Sequence, residues 1–441
     1  MQTTGDGVEA QNIVVGAAFS SPGGSSLNLL ANDAITINAH VTIGTGGQLS
    51  ALELGSQAQG EILGAISCGP QGRISFDSVS DQFNINGVVA ALVESLPDLA
   101  SAISSNPGGF YVLANNYDAG TDGTYRSSPV GTTFTGYFEA LGNTISHVKI
   151  NDQSDESVGL FAEIDGSAGF GTVRNLRLES ASVKGGASRL GAIVGYVAPG
   201  AAVSQSSSTG MVNGGDDSEP GGLVGYNYGT IVSSWSSAQV TGGSDDFIGG
   251  LAGNSNGTIS NSFATGSVAS GLNAFVGGLV GETSGMVSNS FAAGAVQTAG
   301  GGYAGGLIGG NAAAVKDCYA LGSVADAGGG DSGLGGLVGF SAEGVSDSYS
   351  TGTVRGTESD EVGGLVGDDD SGGGFHDAYW DVSTSGVSQG AGNIADDPGI
   401  TGLTTKQLRS GLPEGFEKSV WKEKTNVNRG FPYLITNPPP K

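Results

Sequence analysis

The chain has 441 residues, 82 of them glycine, only 13% charged, and carries a formal net charge of −26. Few large side chains are available for a thick globular core, yet Val, Ile, Leu and Phe recur in register, which linkers do not do. The acidity and the lack of basic clusters exclude a nucleic-acid binder and disfavour anionic membrane surfaces. No apolar run reaches the ~20 residues of a membrane helix.

Residues 12 to 78 read as β-coils. The stretch "DAITINAHVTI" alternates cleanly, with Ile35, Ile37, Val41 and Ile43 on one face. From Asn86 to Ser105 the spacing of Val89, Leu92, Leu96 and Leu99 predicts a helix, with Asn86 as its N-cap. "GFYVLANNYDAG" then resumes as a strand.

From there a repeat takes over. The stretch from Gly250 to Val268, "GLAGNSNGTISNSFATGSV", returns as "GLVGETSGMVSNSFAAGAV" from Gly278 to Val296. The Leu or Ile of the "GGLVG" element falls at Ile193, Leu223, Leu251, Leu279, Leu307, Leu337 and Leu365, a nearly constant interval. "VGLFAEI" is a degenerate earlier copy that starts the count at Leu160. A second column is valine, from Val212 to Val354. A third is aromatic: Trp235, Phe263, Phe291, Tyr319 and Tyr349, closed by Tyr379.

Such a period indicates a stacked architecture. Each copy holds short β-branched runs broken by Gly, Asn and Ser, so it predicts one coil of a parallel β-solenoid. Equivalent residues then lie on one another at ~4.8 Å per coil. A β-propeller is the rival, but its blades need about 40 residues or more. Aligning "NTISHVKI" (Asn143 to Ile150) and "GTVRNLRL" (Gly171 to Leu178) with "GTISNSFA" (Gly257 to Ala264) puts Lys149 and Arg177 in the aromatic column. A position that accepts a charge faces solvent. The aromatic column therefore points outward and the flanking Ser/Cys and Ala columns inward. Cys68 and Cys318 would lie roughly nine coils apart, on the order of 40 Å, too far for a disulfide. After residue 385 the repeat is lost. "TTKQLRSG" predicts a short helix stopped by Gly411, and Trp380 and Trp421 are placed to cap the last coil.

"GGLVGYNYGTIVSSWSSAQV" and its successors resemble the GLUG repeat, named for its Gly-Leu-x-Gly element. "GFYVLANNYDAG", "PVGTTFTGYFEALGNTISHVKI" and "DAYWDVSTSGVSQGAG" resemble the segments that flank such repeats. "LNLLANDAITINAHVTIGTGGQLSAL" is similar to the shaft of filamentous haemagglutinin-type bacterial adhesins. The resemblance implies an all-β, right-handed parallel β-helix, exported to or held on a bacterial surface, of which this chain would be the C-terminal part. No export signal is legible. GLUG repeats also accompany immunoglobulin A-cleaving metallopeptidases, whose zinc motif needs two histidines one helical turn apart. His40, His147 and His376 form no such motif.

The resulting organisation is a shaft over 1–85, a helix and transition coils over 86–142, the repeat array over 143–385 and a cap over 386–441. Asp368, Asp369 and Asp370 are the one candidate for Ca²⁺, set against a solvated corner; Asp216–Asp217 and Asp245–Asp246 are similar corners. The ladder of Trp235, Phe263, Phe291, Tyr319 and Tyr349 is the candidate ligand surface, since flat rings suit sugars; self-stacking is the competing account. Lys184, Arg189, Lys316 and Arg355 show no adjacent carboxylate pair in sequence. The expectation is a non-enzymatic adhesin segment without cofactor, monomeric, binding host or surface glycans or matrix proteins, with no nucleic acid and no membrane insertion. A polysaccharide lyase or glycoside hydrolase, and a purely structural spacer, are the alternatives.

Overall fold

The computed structural model describes residues 12–31, 34–53, 66–85, 87–167, 169–328 and 330–440. The chain is a parallel β-solenoid. One coil supplies the short strands Thr230–Val232, Trp235–Ser236, Gln239–Thr241, Phe247–Gly249 and Ala252–Ser255. Each pairs in parallel with its equivalent in the next copy of the repeat: Ile231 with Ile259, Trp235 with Phe263, Val240 with Val268, Phe247 with Phe275. The "GGLVG" period is thus one turn of the solenoid, and like residues stack on like. Leu223, Leu251, Leu279, Leu307, Leu337 and Leu365 form a continuous buried column with no exposure.

The glycines of that element are demanded by space rather than by φ. A Cβ on Gly249 would collide with the carbonyl oxygen of Ala252, in the same tight turn. A Cβ on Gly250 would collide with the carbonyl oxygen of Gly278 in the next coil. Left-handed backbone is used elsewhere, at the corner before the inward serine. The column from Asn175 through Asn261 and Asp317 to Asp377 holds φ between 48° and 53°. Asn and Asp tolerate that conformation better than other side chains with a Cβ, which accounts for their recurrence there.

Inside the corner runs a ladder of buried hydroxyls. The backbone N–H of Ser206 donates to Ser234 Oγ, that of Ser234 to Ser262 Oγ and that of Ser262 to Ser290 Oγ, each at 3.2 Å. Each hydroxyl in turn donates to the carbonyl two positions before it, as Ser262 Oγ does to Ser260 at 2.8 Å. The column is serine because the position needs one acceptor and one donor where water cannot reach. Cys318 occupies the same place, with Sγ 3.2 Å from the Lys316 carbonyl, and burial pushes its thiol up to about 12. Both cysteines are free.

The predicted facing holds: Ser262 and Ala264 are fully buried and Phe263 lies on the outside. One of its supports does not. Thr144, not Lys149, stacks beneath Arg177, while Lys149 pairs with Ser182. Arg177 does lie in the aromatic column, through Ser207 to Trp235. The early coils are longer, so a match of residue type placed "NTISHVKI" one corner too early.

The N-terminal coils form parallel stacks of short strands with Ile35, Ile37, Val41 and Ile43 buried between them. The predicted helix start is corrected. Asn86 lies outside the described residues; Val88–Val93 is a strand, turned back on Gln82–Ile85 by Gly87 at φ 86°. Val89 is accordingly 64% exposed rather than part of a buried stripe. The helix, α1, spans Leu96–Ser105, with Ser95 Oγ accepting from the Asp98 N–H. Consecutive β-branched valines next to a left-handed glycine favour a hairpin over a helix entry, and Ser-Leu-Pro-Asp supplies the real cap. The short helix α2, Thr405–Leu408, is capped by Thr404. Among the described residues no helix is long and apolar enough to cross a membrane.

The N-terminal coils abut the array at a polar junction. Asn175 Nδ2 donates to the Ile66 carbonyl at 2.8 Å and to Glu139 at 2.9 Å, and the Leu141 N–H donates to Glu139 at 2.7 Å. Burial pushes the Glu139 carboxyl up to about 7, against the opposing pull of Arg174 and of these donors.

These buried groups can be tested directly. Ser262→Ala leaves the buried Ser234 N–H without its partner, while the Ser260 carbonyl keeps the Ser233 N–H, and should cost about 1–3 kcal/mol, whereas Cys318→Ser should hold or raise the melting temperature; chemical denaturation of both variants checks the ladder. Because the folded protein binds the Glu139 proton more tightly than the unfolded chain does, the stability it contributes is full below about pH 4.5 and lost as pH rises through about 7. Glu139→Gln should therefore gain on the parent by on the order of 3 kcal/mol across that window, read as melting temperature against pH.

Candidate functional site

The predicted aromatic ladder is real. Successive rings from Trp235 through Phe263, Phe291 and Tyr319 to Tyr349 lie 4.7–5.7 Å apart, each pair within 5° of parallel. Most of it is not open to a ligand. Phe291, Tyr319 and Tyr349 are buried to 1% exposure or less beneath the C-terminal segment. Phe416, Trp421, Phe431 and Leu434 form one apolar cluster with them. Tyr349 Oη donates to the Pro432 carbonyl at 2.6 Å, Trp421 Nε1 to Asp317 at 2.8 Å, and Asn437 Nδ2 to the Ser262 carbonyl at 3.1 Å. The outward column was legible in sequence, but its cover arrives from a segment far along the chain. Only Trp235 and Phe263 remain half-exposed.

A different pair of columns carries the open chemistry. The residue two places before the first glycine of each "GGLVG" and the residue just after the motif both face outward, on adjacent strands of neighbouring sheets. The first column runs Arg189, Glu219, Phe247, Phe275, Tyr303. The second runs Tyr196, Tyr226, Asn254, Glu282, Gly310, Phe340 and Asp368. Phe247, Phe275, Tyr303 and Phe340 form a chain of tilted rings with centroids 5.1–5.5 Å apart. Gly310 and Gly333 make room for it: a Cβ on either would strike the ring of Phe275 or Tyr303, so these rings lie flat across the sheet.

At the N-terminal end of this face is a cleft of about 350 Å³, lined by Glu156, Arg189, Asp217, Glu219, Asp245 and Phe247. Arg189 bridges two carboxylates, Glu156 at 2.8 Å and Glu219 at 3.7 Å. Its guanidinium also sits over the rings of Tyr196 and Tyr226, at 4.8 and 5.6 Å. Burial raises the Glu219 carboxyl and Arg189 pulls it back. The sequence showed no carboxylate pair beside Arg189, because Glu156 and Glu219 come from the coils on either side of it. A half-buried carboxyl that holds its proton more firmly than usual, beside a guanidinium, can donate or accept a proton or bind a polar ligand.

Asp368, Asp369 and Asp370 do not converge. Asp368 faces outward, held by Asn393 Nδ2 at 2.7 Å and hydrogen-bonded to Tyr303, while Asp369 turns inward and is buried beside Asp397. Alternation along one strand puts neighbouring carboxylates on opposite faces. Among the described residues no group of three or more His, Cys, Asp or Glu side chains is placed to hold a metal ion. Asp246 is a structural cap: it accepts the Ser218 N–H and Oγ, at 2.6 and 3.0 Å, and burial raises it to about 6. Asp216 similarly accepts the Ser244 N–H at 2.8 Å. Asp217 and Asp245 line the cleft.

No family profile matches the chain. No curated protein matches it either. Among the solved structures similar to it, two carry a protease's name. One, from Bacteroides ovatus and provisionally named an immunoglobulin A1 protease, is 18% identical with a TM-score of 0.41, over 79% of this chain and 92% of that one. The other, an IgA1 protease, is 19% identical with a TM-score of 0.44, over 61% of this chain and 23% of that one. Both bear a protease's name, and on that finding the expectation that the chain is not an enzyme is withdrawn. The activity those names describe belongs to those proteins.

Because Tyr349 is clamped rather than displayed, Tyr349→Ser should act on stability. A loss of about 3–5 kcal/mol is expected for emptying so large a buried site, with early proteolysis between residues 404 and 440 as the readout.

Proposed function

We propose that the chain is an attachment segment of a bacterial surface or secreted protein, a stiff β-solenoid that presents its half-exposed ring face to a partner macromolecule. The observation that carries this reading is that face: Phe247, Phe275, Tyr303 and Phe340 remain half-exposed along successive coils, interleaved with Glu219, Glu282 and Asp368. Flat rings bordered by hydrogen-bonding groups suit both glycans and extended protein segments. Coil-on-coil stacking supplies the rigidity, so the spacing of contacts is preset and little ordering is needed on binding. The resemblance of the repeats to GLUG sequences, and of the N-terminal coils to haemagglutinin-type shafts, supports the same reading.

The segment named from sequence, Trp235 to Tyr349, contributes only its uncovered end, Trp235 and Phe263. The test is binding of the full chain to an immobilised panel of glycans and matrix proteins. At least one ligand should be retained, and the Phe275→Ser/Tyr303→Ser double variant should lose about tenfold or more in affinity, as when ring contacts worth about 0.5–1.5 kcal/mol each are removed. Equal retention by parent and double variant would move attachment off this face, and no retention by either would leave a spacer.

A further inference from the structure

The ring face is chemically one-sided. Glu282, Glu361 and Asp368 line the stretch beside Phe275, Tyr303 and Phe340, and no Lys or Arg occupies either column beyond Arg189. What the stretch offers is therefore ring faces and carboxylates. Both are complements of a donor-rich cation.

The chain itself provides a worked instance three coils away on the same face. Arg189 lies over two tyrosine rings and between two carboxylates, at the distances given above. Three coils further on, the same combination recurs without a cation of its own: Phe275 and Tyr303 with Glu282, then Phe340 with Asp368 and Glu361. Burial raises the carboxyls of Glu282, Glu361 and Asp368. An arriving positive charge would relieve that cost, so binding is expected to release protons and to weaken as pH falls through the carboxylate range.

We infer that this stretch, centred on Phe275, Tyr303 and Glu282, binds arginine side chains of an extended basic protein segment. A planar guanidinium satisfies both features together: it stacks on a ring and forks onto a carboxylate. The inference rests on the attachment reading of this face and narrows it to one ligand chemistry.

The experiment is fluorescence anisotropy with the full chain and a labelled peptide of alternating arginine and glycine, against the lysine analogue and partly deacetylated chitin oligomers. Glu282→Gln/Glu361→Gln should weaken arginine-peptide binding by about tenfold or more, as loss of two charge-assisted contacts would. Glu94→Gln/Glu343→Gln removes the same charge from exposed positions on neither column and should change it less than about twofold. Phe275→Leu, which keeps the site filled, should weaken the arginine peptide more than the lysine one. Equal effects of the two charge-removing pairs would overturn the inference, because bulk charge alone would then explain binding. So would binding of the amino-sugar oligomers, but not of the peptide, through Glu282; that outcome overturns the protein ligand while leaving the attachment face in place. Failure of every probe here, with retention on the wider panel still dependent on Phe275 and Tyr303, would sink the arginine assignment alone.

Discussion

Coil-on-coil backbone pairing is the constraint on which the rest of the molecule depends. Each strand bonds to the equivalent strand of the next coil, so residues that share a repeat position are forced to within about 5 Å of one another. That closeness fixes what each column can be. It makes the second glycine of "GGLVG" obligatory, since Gly250 faces the Gly278 carbonyl. It turns a run of serines one repeat apart into a continuous buried hydroxyl chain. It also stacks rings that lie far apart in sequence into a ladder with parallel planes.

The same constraint creates a problem that the C-terminal segment solves. A long column of outward rings is a large apolar strip. Trp421, Phe416, Phe431 and Leu434 fold back along it and seal the part nearest the C-terminal end. The contacts are anchored by polar bonds at the corner column, from Trp421 to Asp317 and from Thr436 to Asn261. A ladder that reads from sequence as a ligand surface is thereby mostly an internal dock. The cap does more than close the last coil; it runs back over several coils and ties them together.

Relieved of that role, the other ring face stands out. Its residues come from two outward positions that flank the tight "GGLVG" turn, so every coil adds one residue to each column. Variation there is wider than in the inner columns, restricted mainly where a ring lies flat over a glycine such as Gly310 or Gly333. Arg189, Glu219, Tyr226, Asn254, Glu282 and Phe340 can differ in chemistry without disturbing the fold, which is what a solenoid needs in order to specialise one surface. The cleft at Arg189 and the ring stretch at Phe275 and Tyr303 are two parts of that surface, one with its own cation and one without.

The architecture was written in the sequence because a short, nearly constant period with small, β-branched and glycine positions in phase has few other solutions. The inward facing of Ser262 and Ala264 and the outward facing of Phe263 followed from one alignment of copies. The two cysteines are free as expected, but not nine coils apart: the N-terminal coils lie against the side of the array, with Ser67 bonded to Gln205, four coils from the corner that holds Cys318. The helix start at Ser95 rather than Asn86 was missed because Val89 and Leu92 fit a helical spacing by chance while belonging to a hairpin. What only the tertiary structure decided was contact between segments outside the repeat, or between different positions of neighbouring coils. Periodicity specifies which residues stack, not what folds over them or what meets across a turn. The burial of Tyr319 and Tyr349 under Trp421, the seating of Arg189 between Glu156 and Glu219, and the burial of Glu139 that raises its carboxyl against the donors of Asn175 and Leu141 all belong to that second kind, since each depends on a distance that no local spacing encodes.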